Sequence, residues 1–98
     1  MNRNGAIARL RACADAVKAR GATSLYLFGS TARGEAKVDS DIDMFIDYDP
    51  RKKFSLVDLA GIKLFLEDAL GMDVDVTTRD SLHPTMRKDI EQSAVRVF

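Results

Sequence analysis

The sequence predicts an α/β domain, a small sheet packed against helices. Two observations carry this. Apolar stripes of helical period alternate with short apolar stretches of strand length along the whole chain. Stop signals, mostly glycine or proline, separate them. The chain has 98 residues, enough for one domain with a single modest core. Its 46% apolar and 31% charged content is that of an ordinary water-soluble domain.

Residues 4–20 read as the first helix. Ile7, Leu10, Ala14 and Val17 recur at three- and four-residue spacing, with Cys13 beside them, and Gly21 is a C-terminal stop. Leu25-Tyr26-Leu27-Phe28 forms the centre of a first strand, residues 24–28. The segment Gly29–Gly34 reads as a small turn or a single helical turn. A second strand spans residues 41–48. Its Ile42, Met44, Ile46 and Tyr48 share the face expected to meet the core, and Asp41, Asp43 and Asp47 share the other. Asp49-Pro50 then marks a turn.

Ser55-Leu56-Val57-Asp58 resembles a capping box and opens the clearest helix, residues 55–70. Leu59, Ile62, Leu66 and Ala69 line one side of it, Phe65 and Leu70 lie alongside, and Gly71 closes it. A short third strand, residues 73–77, places Val74 and Val76 on one face and Asp75 and Thr77 on the other. Pro84 suits the first position of a last helix, to residue 94, along which Leu82, Met86 and Ile90 step at fours. Val95, Val97 and Phe98 form a small edge strand or an apolar tail. The order is α-β-α-β-α-β-α, the second helix being very short.

Charge narrows the function. The formal net charge is zero, so nothing in the overall balance favours nucleic acid or an anionic membrane. The distribution is uneven: residues 39–49 contain five aspartates and no base. Such a concentration of acid calls for a cation. No run of 18 apolar residues is present to span a membrane, and the N-terminus lacks the apolar core of a signal peptide. The one cysteine, Cys13, excludes an internal disulfide, adjoins the apolar stripe as a small core residue, and fits a reducing cytoplasm.

The chemistry concentrates in Gly29-Ser30, ten intervening residues, and Asp41-Ile42-Asp43. On a strand, Asp41 and Asp43 point the same way, roughly 6–7 Å apart. Carboxylates so spaced can converge on a two-metal site, with ions about 3.5–4 Å apart. The string Asp39-x-Asp41-x-Asp43 also imitates a calcium loop. It fails as one, because Met44 stands where glycine is required and Pro50 where the bidentate glutamate is required.

The fuller string Leu27-Phe28-Gly29-Ser30-Thr31-Ala32-Arg33-Gly34 with Ser40-Asp41-Ile42-Asp43 resembles the minimal nucleotidyltransferase (MNT) domains of the DNA polymerase β-like superfamily, the branch paired as antitoxins with HEPN-domain toxins. The resemblance covers nearly the whole chain. It implies the DNA polymerase β-like nucleotidyltransferase fold, with a mixed sheet whose first two strands are antiparallel. It implies transfer of AMP from ATP, with Mg²⁺ (two ions, or Mn²⁺) held by Asp41, Asp43 and a third carboxylate on an adjacent strand. Asp75, alternating with valines after the long helix, is the match. Gly29, Ser30 and Arg33 would bind the triphosphate, and Ser40 would support the carboxylates or the phosphate. The expected acceptor is a hydroxyl, most often tyrosine, of a cognate HEPN-type toxin. The chain offers no second domain to grip an acceptor, so a partner protein has to deliver it. Two alternatives stand beside this reading: a non-catalytic antitoxin that neutralises its partner by occlusion, and the same chemistry on a small-molecule or polynucleotide acceptor. Asp47 and Asp73 are read as solvated, and His83 as a helix cap or surface residue.

Overall fold

The computed structural model describes residues 2–34 and 41–98. Among them, α1 (Arg3–Ala12) and α2 (Ala14–Ala19) lead into β1 (Ala22–Phe28), the single turn α3 (Gly29–Ala32) and β2 (Ile42–Tyr48). The long α4 (Leu56–Leu70), β3 (Val74–Thr78), α5 (Pro84–Ser93) and the two-residue β4 (Val95–Arg96) follow. The sheet order is β3-β2-β1-β4. β1 runs antiparallel to both β2 and β4, whereas β2 and β3 are parallel. The sheet is therefore mixed, with the antiparallel first pair that the resemblance implies. Its one parallel pair needs a crossover, which α4 supplies.

The core lies on one face of the sheet. Leu25 and Leu27 of β1, Ile42, Met44 and Ile46 of β2, and Val74 and Val76 of β3 meet Ala6, Leu10 and Val17 of α1 and α2 and Ile62, Leu66 and Leu70 of α4. Strand alternation then sends Tyr26, Phe28, Asp43, Phe45, Asp75 and Thr77 to the opposite face. The helix ends follow the local chemistry. Ser55 and Asp58 complete the capping box of α4, and Gly71, in the left-handed region, ends it. His83 caps α5, accepting from the Thr85 N–H, with Pro84 in the first turn. The C-terminal residues are tied to β1: Val97 N–H donates to Leu25 O at 2.8 Å and Leu25 N–H to Phe98 O at 3.1 Å.

Four details differ from the sequence expectation. The first helix is two, because Cys13 N–H donates to Leu10 O three residues back, a tighter turn that interrupts the α period. Ala69 is exposed; Leu70 instead continues the row from Ile62 and Leu66 at four-residue steps. Met86 is exposed, because α5 lies outside the core and buries no residue of its own. Phe45 is fully buried although it shares the face of Asp43, since Tyr26 stacks on it at 4.9 Å and Phe28 leans against it.

The two sides of α4 give a direct test of this layering. Leu66→Ala should cost about 3–5 kcal/mol in urea unfolding, because Leu66 is wholly buried and leaves a cavity. Leu64→Ala, at a position 67% exposed, should stay within about 0.5 kcal/mol of the parent in the monomeric protein.

Candidate active site

The site begins with a register. In the parallel β2–β3 pair, Asp43 lies opposite Asp75 and Ile42 opposite Val74. Adjacent strands are about 4.8 Å apart, so two carboxylates leave the same sheet face side by side. Asp41 stands exposed just before β2. Burial pushes the Asp43 carboxyl above its ordinary range, and the like charges of Asp75 and Asp41 push it further; Arg33 opposes them. The three aspartates thus lie within Coulombic reach of one another. Among the described residues, no three acidic, histidine or cysteine side chains are drawn together tightly enough to enclose an ion. The donors fit a hard divalent cation in kind, since carboxylate oxygens are its preferred ligands and a cation would relieve their repulsion.

Gly29 sits directly against this group. Phe28 pairs with Asp43 across β1 and β2, so the next residue arrives over the Asp43 side chain. Gly29 takes φ +72°, and a Cβ there would lie 2.6 Å from Asp43 Oδ2. The glycine is needed both for its backbone angle and for the carboxylate that fills its empty side-chain space. The chain then turns through α3, closed by Arg33 N–H donating to Gly29 O at 3.2 Å. Thr31 and Ala32 are buried and anchor the turn; Ser30 is half-buried and Arg33 exposed. A cleft of about 350 Å³ opens here, between Phe28, Gly29, Arg33 and Asp43 on one side and Met86, Asp89, Ile90 and Ser93 of α5 on the other. A second depression, of about 290 Å³ between Tyr48, Phe54, Leu59 and Asp80, lies toward the far end of β2, away from the aspartates.

The structure therefore brings Asp43, Asp75, Gly29 and Arg33 together, with Asp41 at their edge and Ser30 in the adjoining turn. Ser40 lies outside the described residues. Asp47, expected to be solvated, is instead clamped by Arg79, whose Nε and Nη2 donate to its two oxygens at 2.8 and 3.0 Å. Arg79 also donates to Glu91 of α5 and lies over the Tyr26 and Phe45 rings. This residue escaped the sequence reading. The signal was the continued alternation Asp75-x-Thr77-x-Arg79, which carries a cation onto the acidic face. Among the described residues of β2 and β3, Asp43 and Asp75 are the other acids on that face. The α5 wall of the cleft was missed too, because Met86 and Ile90 showed only the four-residue step of a helical stripe.

A nucleotidyltransferase domain model matches residues 10–97. The chain belongs to the nucleotidyltransferase domain family. A Methanocaldococcus jannaschii protein, provisionally named as a protein adenylyltransferase, is 44% identical over 72 residues, 74% of this chain and 75% of its own. The protein adenylyltransferase MntA of Thermococcus cleftensis is 35% identical over 77 residues, 79% of this chain and 76% of its own. A solved structure of a provisionally assigned minimal nucleotidyltransferase superposes with a TM-score of 0.84 at 35% identity, covering 97% of this chain and 95% of that one. At 16% identity the fold is shared, with a TM-score of 0.64, by a chain of the complex between a tri-AMPylated Shewanella oneidensis HEPN toxin and its MNT antitoxin; the match covers 90% of this chain and 68% of that one.

Two glycines with nearly the same backbone angle separate strain from contact. Gly29→Ala meets both a φ of +72° and the Asp43 carboxylate, whereas Gly34→Ala, at φ +73°, meets nothing within 4 Å. Gly34→Ala should cost about 1 kcal/mol for the left-handed backbone alone. Gly29→Ala should cost about 2–4 kcal/mol, since the carboxylate or the turn has to move as well. Chemical denaturation of the two variants measures the difference.

Proposed function

We propose that the domain transfers AMP from ATP to a hydroxyl side chain, a tyrosine above all, of a cognate HEPN-type toxin, and so acts as its antitoxin. The observation that carries this reading is the register of Asp43 with Asp75 beneath Gly29, which gathers acids, a backbone turn and a cation at one cleft. Asp41, Asp43 and Asp75 would hold Mg²⁺, as two ions or with Mn²⁺ in its place. Bound there, the metal would neutralise charge on the attacking and leaving oxygens at the α-phosphorus.

The protein's own groups do the rest. The N–H groups of the Gly29–Ser30 turn and the Ser30 hydroxyl receive phosphate oxygens. Arg33, already within the field of Asp43, adds a positive clamp on the triphosphate. Ser40 supports the carboxylates or the phosphate. An oxygen of Asp75 accepts the proton of the acceptor hydroxyl as its oxygen bonds to the α-phosphorus; the bond to the β-phosphate oxygen breaks and pyrophosphate leaves.

The relatives support the choice of acceptor. The Thermococcus protein is named a protein adenylyltransferase, and the Shewanella toxin is described as AMPylated in complex with its antitoxin. We extend both statements to this chain, and place it in a reducing cytoplasm where Cys13 stays a free thiol.

Intact-mass spectrometry of the partner toxin after incubation with the protein, ATP and Mg²⁺ tests this. The partner should gain one or more AMP units. Asp41→Asn, Asp43→Asn and Asp75→Asn should each slow the gain by about a thousandfold or more, the loss of several kcal/mol of transition-state stabilisation. A partner restrained without added mass, and restrained equally by the Asp variants, would establish neutralisation by occlusion instead.

A further inference from the structure

α5 is an amphipathic helix that buries no residue of its own. Met86 and Ile90 form its apolar stripe at a four-residue step. Both line the cleft beside Asp43, and Met86 is 57% exposed there. The neighbouring stripe, Arg87 and Glu91, is fixed to the sheet. Glu91 accepts from Arg79 Nη1 at 2.9 Å and from Arg87 Nε at 3.0 Å, and the same Arg79 grips Asp47 of β2. The helix is thus tied down along its polar flank, and its apolar flank is held toward the cleft. Carbon left in contact with water at that flank is a cost unless a ligand covers it.

The rest of the cleft identifies the ligand. Gly29, Arg33 and Asp43 line it too, with Phe28 beside them. One wall therefore carries the turn, the cation and the acid assigned above to the triphosphate and its metal, and the other carries apolar carbon. The α5 wall has an order. Val95 pairs with Leu27, two residues before Gly29, so the C-terminal end of α5 lies nearest the turn. Asp89 and Ile90 come one helical turn before Ser93, and Met86 a further turn out, about 10 Å from Ser93 along the axis. The Asp89 carboxylate is exposed and has no hydrogen-bond or ion-pair partner among the described residues. A phosphate end, an acceptor in the middle and an apolar end repeat the order of phosphate, sugar and base in a nucleotide. The volume of about 350 Å³ is that of a small-molecule site. We propose that α5 is the nucleoside wall of the site, an assignment that rests on the triphosphate reading given above. Met86 and Ile90, with Phe28 across the cleft, hold the faces of the base, and Asp89 accepts from the ribose hydroxyls, as carboxylates do in other nucleotide sites.

Isothermal titration calorimetry in Mg²⁺ with two probes, ATP and inorganic tripolyphosphate, tests the assignment. Met86→Ser and Ile90→Ser should each weaken ATP about five- to tenfold, through lost apolar contact, and leave tripolyphosphate unchanged. Met86→Leu, which keeps the contact, should bind ATP as the parent does. The parent should prefer ATP to 2′,3′-dideoxy-ATP about tenfold, and Asp89→Ala should abolish that preference. Lys88→Ala, exposed on α5 outside the cleft, should change neither probe. ATP binding indifferent to the Met86 and Ile90 variants, a loss shared equally by tripolyphosphate, or a parent blind to the sugar hydroxyls would overturn the inference and leave the triphosphate reading in place. A parent that binds neither probe would overturn both.

Discussion

The parallel register of β2 and β3 is the constraint on which the rest depends. It sets Asp43 beside Asp75, two like charges a single strand spacing apart. Left to themselves, these groups oppose folding. They are held because the same register seats Ile42, Met44, Ile46, Val74 and Val76 in the core on the other face. A strand cannot slip by one residue to separate the acids without turning its entire apolar set outward. Stability and chemistry are thus assigned to opposite faces of one sheet, and the first enforces the second.

The remaining features manage the charge so concentrated. Arg79 satisfies Asp47 and joins it to Glu91, which removes one acid from the group and ties α5 across the sheet. Arg33 offsets part of the repulsion at Asp43. Gly29 yields its side-chain space to the Asp43 carboxylate, so the turn after β1 and the acids approach closely. For Asp43 the direction of the shift has a consequence for stability. Its carboxyl holds a proton more tightly in the folded protein than its ordinary value of 3.8 allows. Protonated Asp43 therefore favours the fold at acid pH, and this contribution is lost as pH rises above 3.8 and through the folded value. At neutral pH, without a cation, Asp43 weighs against the fold.

Much of this was legible in the residues. Period-2 alternation in β2 and β3 put the aspartates on one face, Ser55 and Asp58 marked the start of α4, and Pro84 that of α5. What local pattern could not supply was the pairing between distant segments. The opposition of Asp43 and Asp75 is a matter of register, set by how β3 docks after a fifteen-residue helix. The ion pair of Arg79 with Asp47 spans 32 residues and depends on the same docking. Phe45 sits among acids in the alternation and gave no sign of burial, because its cover comes from β1. Met86 fits a helical stripe, and only the position of α5 beside the cleft places it outside the core. The break at Cys13 is a single hydrogen-bond choice within an otherwise continuous stripe, too small for periodicity to register.

Melting Asp43→Asn beside the parent at neutral pH tests the central claim most directly, first with chelator and then with Mg²⁺ and ATP. With chelator the variant should melt higher, because one of the opposed charges is gone. With Mg²⁺ and ATP the parent should gain several degrees, as a ligand bound only by the folded state adds stability, and the variant should gain little. A variant that melts no higher than the parent with chelator, or that gains as much as the parent with Mg²⁺ and ATP, would contradict the account.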